Sequence, residues 1–245
     1  MREDFLLFSR DFAFFCRLEF HIMPHKDKFL DSKAIPISTL RRSICYLRTL
    51  GAMSKRDDDV VSSEELANFL CLSDATVRRD LSAFGKLGTR GLGYRVGEMR
   101  SKLQEAARPN QIVFGAMVGV GRLGEALLGH GGLLNAPGLL IRSAFDVDVQ
   151  KIGTVISNIR ILDASHMGDT VRKESITVGI ITVPNNAAQR SVDQLVEGGV
   201  SAILNFANIH VVAPPDVLIS HIDIALELES LLMSLTLKAR SKPAP

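Results

Sequence analysis

The heptapeptide VGVGRLG, residues 118–124, decides how this chain is read. Its glycines at 119, 121 and 124 fall at the spacing GxGxxG, which by itself is common and carries little weight. The surrounding sequence adds weight. The run from Ile112 to Val118 is almost continuously apolar, as a parallel strand covered on both faces must be, and Leu123, Leu127 and Leu128 behind it suit the inner side of a helix. In such a strand, turn and helix unit, Gly119 permits the tight turn, Gly121 lets the backbone approach a pyrophosphate, and Gly124 allows helix and strand to pack closely. The first N–H groups of the helix face the anion, which brings Val120, Arg122 and Leu123 to the same place. A second apolar run, LLIRSAFDVD, carries Asp146 and Val147, with Asp146 standing 22 residues beyond Gly124. That is near the spacing at which an acid meets the adenosine ribose hydroxyls. A carboxylate there repels a 2′-phosphate, so the expected ligand is NAD(H) and not NADP(H).

Two more strand signals extend the expected sheet. SITVGIITVP ends at Pro184 and leads into the helical pattern NNAAQRSVDQLVEGG, and SAILNFA comes next. Thr182, Val183, Pro184, Asn205 and Phe206 stand at the carboxyl ends of these strands, where an open α/β sheet takes its ligand. A hydride-transferring enzyme needs a positioned acid or base at such a site, with substrate clamps beside it. His130, His166 and His210 are the candidates; none has an obvious carboxylate partner, and they read as core or surface histidines. With no catalytic constellation, the unit reads as a sensor of the cofactor rather than a user of it. The alternative is an NAD-dependent oxidoreductase with an N-terminal helical dimerisation domain.

The residues ahead of this unit follow a different pattern. TLRRSICYLRTL places Leu40, Ile44, Leu47 and Leu50 at helical spacing behind Pro36. In VVSSEELANFL, Ser62 and Glu65 make a capping box ahead of Leu66, Phe69 and Leu70. A three-residue turn, Cys71 to Ser73, then leads to a second helix capped by Ser73 and burying Val77, Leu81 and Phe84. At 100° per residue, Ala75, Arg78, Arg79 and Ser82 fall on the opposite side, with Thr76 in the first turn. Small groups beside guanidiniums suit a helix that enters a DNA major groove, since Arg can bond guanine at two atoms. The segment GKLGTRGLGYRV then reads as a hairpin wing carrying Lys86, Arg90 and Arg95. Capped helix, short turn, cationic helix and glycine-arginine hairpin together point to a winged helix-turn-helix.

Charge follows the same division. Residues 1–108 hold 19 Lys+Arg against 15 Asp+Glu, and residues 109–245 hold 10 against 12. Between Ser73 and Lys102 the excess concentrates into a basic patch of seven cations against three acids. Cys16, Cys45 and Cys71 have neither metal-ligand nor disulfide spacing, so no metal is expected and a reducing cytoplasm fits. Residues 1–22 hold six of the twelve Phe, yet charges cut their apolar runs too short for a spanning helix or a signal segment. Two readings stand for this extension: a weak tail with a natural start at Met23, or an amphipathic surface helix. At the far end, HIDIALELESLLMSLTL has Ile224, Leu228, Leu231, Leu232 and Leu235 on one helical face, with Leu226, Met233 and Leu237 on others. Such a helix needs neighbours on several sides, supplied by another subunit or by its own chain.

Taken in order, SSEELANFL, DATVRRDLSAFGKLGTRGLGY, VGVGRLGEALL, AFDVDVQKIGT, TVPNNAAQ and ILNFA resemble the redox-sensing transcriptional repressor Rex family, from about Ile35 to about Leu237. The resemblance implies an α/β protein. An N-terminal winged helix-turn-helix domain joins a C-terminal Rossmann domain, with a doubly wound parallel sheet, in a cytoplasmic homodimer whose C-terminal helices are swapped. It implies repression at a double-stranded inverted-repeat operator while NADH is scarce, and release on NADH binding, without enzymatic activity. By motif, Arg78, Arg79 and Arg90 would touch DNA. Gly119, Gly121, Gly124 and Asp146 would hold the adenosine diphosphate part, and Thr182, Val183, Pro184, Asn205 and Phe206 would lie near the nicotinamide half.

The family's switch couples an Arg of the first helix, a Tyr after the glycine helix and an Asp opening the swapped helix; by position these resemble Arg48, His130 and Asp223. His130 for Tyr is a departure that adds a group titrating near neutral pH. Asn208 stands where the family usually has Pro, and Ile224 where some members have Phe. The expected division is residues 1–33 as an extension, 34–108 as the DNA-binding domain, 109–222 as the NAD(H)-binding domain, and 223–245 as the dimerisation helix and tail.

Overall fold

A computed structural model describes residues 35–53, 56–89, 91–107, 111–129, 134 and 136–240. The 1–33 extension, Arg90 and His130 lie outside the described residues. The chain divides into two compact units, Met1–Arg108 and Pro109–Pro245.

The first unit comprises α1 (Ile37–Ala52), β1 (Val60–Val61), α2 (Ser63–Leu70), α3 (Asp74–Ser82), β2 (Tyr94–Arg95) and α4 (Val96–Ala107). Helix α2 begins with the expected capping box: the Glu65 backbone N–H donates to Ser62 Oγ at 3.0 Å, and Ser62 N–H donates to the Glu65 carboxylate at 2.8 Å. Cys71 closes the helix in the left-handed region (φ 55°), where its N–H reaches Ala67 O, and Ser73 then caps α3. Leu66, Leu70, Val77 and Leu81 meet Tyr46, Leu50, Met99 and Leu103 in one core. Burying each such side chain contributes about 1.5–3 kcal/mol.

One expectation for this unit is corrected. Leu50 is buried and Leu47 packs against the core as expected, but Ile44 is 43% exposed, and α1 also buries Thr39, Ser43, Cys45, Tyr46 and Thr49. The expected hairpin wing is present and anchored: β2 pairs with β1, Tyr94 opposite Val61, and a tight turn closed by reciprocal Thr89 and Gly93 backbone bonds leads into it. Helix α4, which the hydrophobic pattern did not announce, follows directly and contributes Val96, Met99 and Leu103 to the core.

The second unit runs β3 (Val113–Val118), α5 (Arg122–Gly129), β4 (Leu139–Asp146), β5 (Val155–Ile156), β6 (Ile159–Asp163), α6 (Met167–Lys173), β7 (Val178–Ile181), α7 (Asn185–Gly198), β8 (Ala202–Asn205), β9 (Leu218–His221) and α8 (Ile224–Arg240). Its sheet order is β5-β6-β4-β3-β7-β8-β9, all parallel except the β5/β6 hairpin at one edge. Omitting that hairpin strand, this is the doubly wound Rossmann order, with the strand order reversing between β3 and β7. Alternation along the strands builds two cores. Ala116, Val118, Phe145 and Ile181 face Met167, Val171, Val192 and Leu195 of α6 and α7. Met117, Ala144 and Ile180 face Leu127 and Leu128 of α5.

Leu123 is corrected from the inner side of α5 to the surface, at 41% exposure, because Gly124 occupies the position against the strand. Strand β9 and helix α6 were not foreseen, and the terminal helix starts at Ile224 because His221 still belongs to β9. Helix α8 keeps large apolar side chains exposed on several sides, among them Ile224 (71%), Leu228 (58%) and Met233 (68%). Among the described residues, no helix is long and apolar enough to cross a membrane.

Candidate functional site

On the first unit, α3 turns Ala75, Arg78, Arg79 and Ser82 outward while Val77, Asp80 and Leu81 are buried. Thr76 is half-buried: its N–H donates to Ser73 Oγ at 3.1 Å, and the two hydroxyls lie 2.7 Å apart. Arg78 is ion-paired with Asp74 one turn earlier. Lys86 is exposed beyond α3, and its carbonyl accepts the Lys102 ammonium at 3.0 Å. Arg95 is exposed on β2. Small, hydroxyl and cationic groups are thus exposed on α3 and on the wing.

What holds that surface in place was missed from sequence. Asp80, 1% exposed, accepts from Thr39 Oγ1 at 3.0 Å, from Tyr46 Oη at 2.7 Å and from Arg42 Nη2 at 2.6 Å, with Arg42 Nε as a further donor. The hydrogen bond to Asp80 raises the Arg42 pKa against the opposing effect of burial. Burial first, and then the same carboxylate, push the Tyr46 phenol well above its usual range. A buried carboxylate with four charge-assisted or hydroxyl donors is satisfied, and it fastens α1 to α3. The signal was present: 77, 80, 81 and 84 are one i, i+3, i+4, i+7 stripe containing a single acid.

On the second unit, the glycine turn lies at the carboxyl end of β3, beside the point where strand order reverses. Gly119 adopts φ +90°, and a Cβ there would stand 2.8 Å from Val183 Cγ1. A Cβ on Gly124 would stand 2.3 Å from Gly119 O, so only glycine lets α5 approach. At Gly121, a Cβ would meet nothing within 4 Å. The backbone there borders open space, which a pyrophosphate could fill, with the first turn of α5 beside it. Val120 is buried, and Arg122 and Leu123 are exposed at the start of α5.

Asp146 ends β4 and braces this turn. Its carboxylate accepts the Val120 N–H at 2.8 Å and the Asp148 N–H at 2.9 Å, with Lys151 Nζ at 3.7 Å. Burial pushes its pKa up, but the N–H groups of Asp148 and Val120 and the Lys151 ammonium outweigh that, and the net shift is downward. Lys151 also donates to Val120 O at 2.9 Å. Each carboxylate oxygen has room for more than one donor, so lone pairs remain for ribose hydroxyls, and exposed Val147 follows. These residues fit a dinucleotide.

Across the crevice the structure gives the expected residues distinct parts. Thr182 Oγ1 donates to Gly119 O at 2.6 Å, tying β7 to the glycine turn. Val183 is half-buried, and Pro184 caps α7. Asn205 is fully buried, with its carbonyl accepting Ala207 N–H at 3.0 Å and its amide facing Ile209 O at 3.0 Å and His221 Nδ1 at 3.1 Å. It therefore shapes the loop after β8, and half-buried Phe206 lies in that loop. Arg48 is exposed on α1, and the Asp223 carboxylate caps α8 by accepting Leu226 N–H at 2.9 Å. His166 contacts Ser165 Oγ at 3.1 Å, and His210 stacks on His221 with centroids 4.9 Å apart. Among the described residues, no group of three or more His, Cys, Asp or Glu could hold a metal ion.

A winged helix-turn-helix unit followed by a Rossmann unit with an open glycine turn defines a two-domain architecture that couples a helical reading head to a nucleotide-type fold. Family models agree on both halves: "Putative DNA-binding protein N-terminus" matches residues 34–82 and "CoA binding domain" matches 115–209. The chain belongs to the redox-sensing transcriptional repressor Rex family. It is 38% identical over 198 residues to the repressor Rex of Syntrophobacter fumaroxidans, covering 80% of this chain and 94% of that protein. Rex of Pediococcus pentosaceus is 37% identical over 206 residues, covering 84% and 99%. A crystal structure of RSP in complex with β-NAD+ and operator DNA matches with TM-score 0.76 and 26% identity, covering 89% of this chain and all of that one. RSP in complex with β-NADH matches with TM-score 0.73 and 25% identity, covering 86% and 97%.

Proposed function

We infer that the protein is a transcriptional repressor that binds double-stranded operator DNA and is released when NADH binds. The observation that carries this reading is the pairing, in one chain, of an outward cationic helix with a glycine turn whose middle position borders open space. Relatives named as repressors, and RSP structures described with NAD+, NADH and operator DNA, support it. The chain is accordingly read as a regulator and not as an oxidoreductase.

In this reading Ala75, Thr76, Arg78, Arg79 and Ser82 approach base edges, with Lys86 and Arg90 on the backbone. NAD(H) lies along residues 119–124 with Asp146 at the adenosine ribose; when bound, it supplies no chemistry beyond its redox-dependent shape and charge. Thr182 fixes the turn, and Asn205 fixes the loop facing the nicotinamide half. Helix α8, with apolar residues exposed on several sides, joins a second copy of the chain, and the two copies of α3 then read an inverted repeat. A cytoplasmic location follows from that role.

The ligand acts by binding one domain arrangement better than the other, with a coupling on the order of 1–3 kcal/mol, or about 5- to 150-fold in affinity. Fluorescence anisotropy on an inverted-repeat probe, with NADH and NAD+ in competition, tests it. NADH is expected to release the DNA; unchanged DNA affinity at saturating NADH overturns the mechanism.

A further inference from the structure

Arg78 does not stand alone on the outward face of α3. Asp74, at the first position of the helix, pairs with it through Oδ2 in the favourable orientation, acid one turn ahead of the base. The Arg78 side chain remains 61% exposed and that of Asp74 36%. Asp74 Oδ1 is buried with no hydrogen-bond partner among the described residues, so the carboxylate is compensated through Arg78. Tyr94, from the wing strand β2, is the third member. Burial raises its pKa, the Asp74 carboxylate adds to the rise and Arg78 opposes it, which sets the phenol within electrostatic reach of both. A carboxylate is an unexpected group on a surface meant for phosphates, and a pair this exposed adds little to stability.

We propose that Asp74 is a specificity-determining residue that braces Arg78 for reading bases and withholds it from phosphates. The inference rests on the DNA-reading role given to α3. An unbraced arginine on a flexible stem finds the nearest phosphate on any sequence, and each phosphate so neutralised strengthens non-specific, salt-sensitive binding. With one edge of its planar guanidinium held by Asp74, Arg78 keeps its other N–H donors for guanine O6 and N7. The pair is neutral, so it gains nothing from the backbone of a wrong sequence.

The test begins with an inverted-repeat duplex selected by the wild-type protein from a randomised pool, and a scrambled duplex of equal length. Asp74→Asn is expected to raise affinity for the scrambled duplex about five-fold near 0.15 M salt and to steepen its log K against log salt slope by about 0.9. Operator affinity does not rise in step, so the operator-to-scrambled ratio falls. Asp74→Glu, which restores an acid one turn ahead of Arg78, keeps the wild-type ratio. In an Arg78→Ala background, Asp74→Asn changes both affinities together and leaves the ratio alone. A ratio in Asp74→Asn within two-fold of wild type, or an equal fall in the Arg78→Ala background, overturns the proposal. Failure of the wild type to enrich any sequence would instead remove the DNA-reading role itself.

Discussion

Asp80 combines a carboxylate, near-complete burial and three partner side chains from α1. Breaking a buried pair leaves an uncompensated charge, which costs about 3–5 kcal/mol. Asp80→Ala is expected to lose stability of that order in urea unfolding of the first unit's transition, with Arg42→Ala close behind. The glycines separate space for packing from space for a ligand. Gly124→Ala forces a Cβ onto Gly119 O and should destabilise by about 1–3 kcal/mol. Gly121→Ala meets nothing in the fold, so its urea midpoint should stay at the wild-type value while NADH affinity, read by fluorescence titration, drops at least about ten-fold. The Asp146 carboxyl titrates below its ordinary value when folded. Its contribution is therefore complete above the unfolded value of about 3.9 and is lost as pH falls through the lowered folded value. Over that acid window, wild-type stability should fall more steeply than that of Asp146→Asn; equal slopes would deny the carboxylate its bracing role.

At the level of elements, the strands and helices with uninterrupted patterns were legible: β3, β4, β7, α7 and the capped pair α2 and α3 all stand where apolar period, Ser62, Ser73 and Pro184 put them. The misread face of α1 has a physical cause. Its inward positions Thr39 and Tyr46 are polar because they meet Asp80, so a search for apolar spacing found Leu47 and Leu50 but passed over these two and took exposed Ile44 in their place. Helix α4 was hidden because two-thirds of its length is charged or small, and β9 because the four residues LISH are too short for a period. In the crevice, residue positions were legible but their parts were not. Asn205 and Thr182 serve the backbone, and only coordinates reveal whom a side chain faces. Helix α8 carries the clearest consequence at this scale. If α8 joins two copies as proposed, replacing Leu228 and Leu232 by Lys is expected to leave only monomers in sedimentation velocity, with the Rossmann unit still folded, since neither residue is part of its cores.

At the scale of the whole molecule, linkage imposes reciprocity: if NADH weakens operator binding by some factor, operator must weaken NADH binding by the same factor. Titrating NADH into free protein and into operator-saturated protein should give that ratio, and equal NADH affinity in the two titrations would mean that the sites are not coupled. The knot of charge between α1 and α3 bears on how such an equilibrium is mechanically expressed. Helices merely greased together can slide by a rotamer at a time; these two are riveted, because any slip strands an anion in oil. A rotation of the first helix that left α3 behind would break all four hydrogen bonds to Asp80, so the two helices are expected to move as one piece.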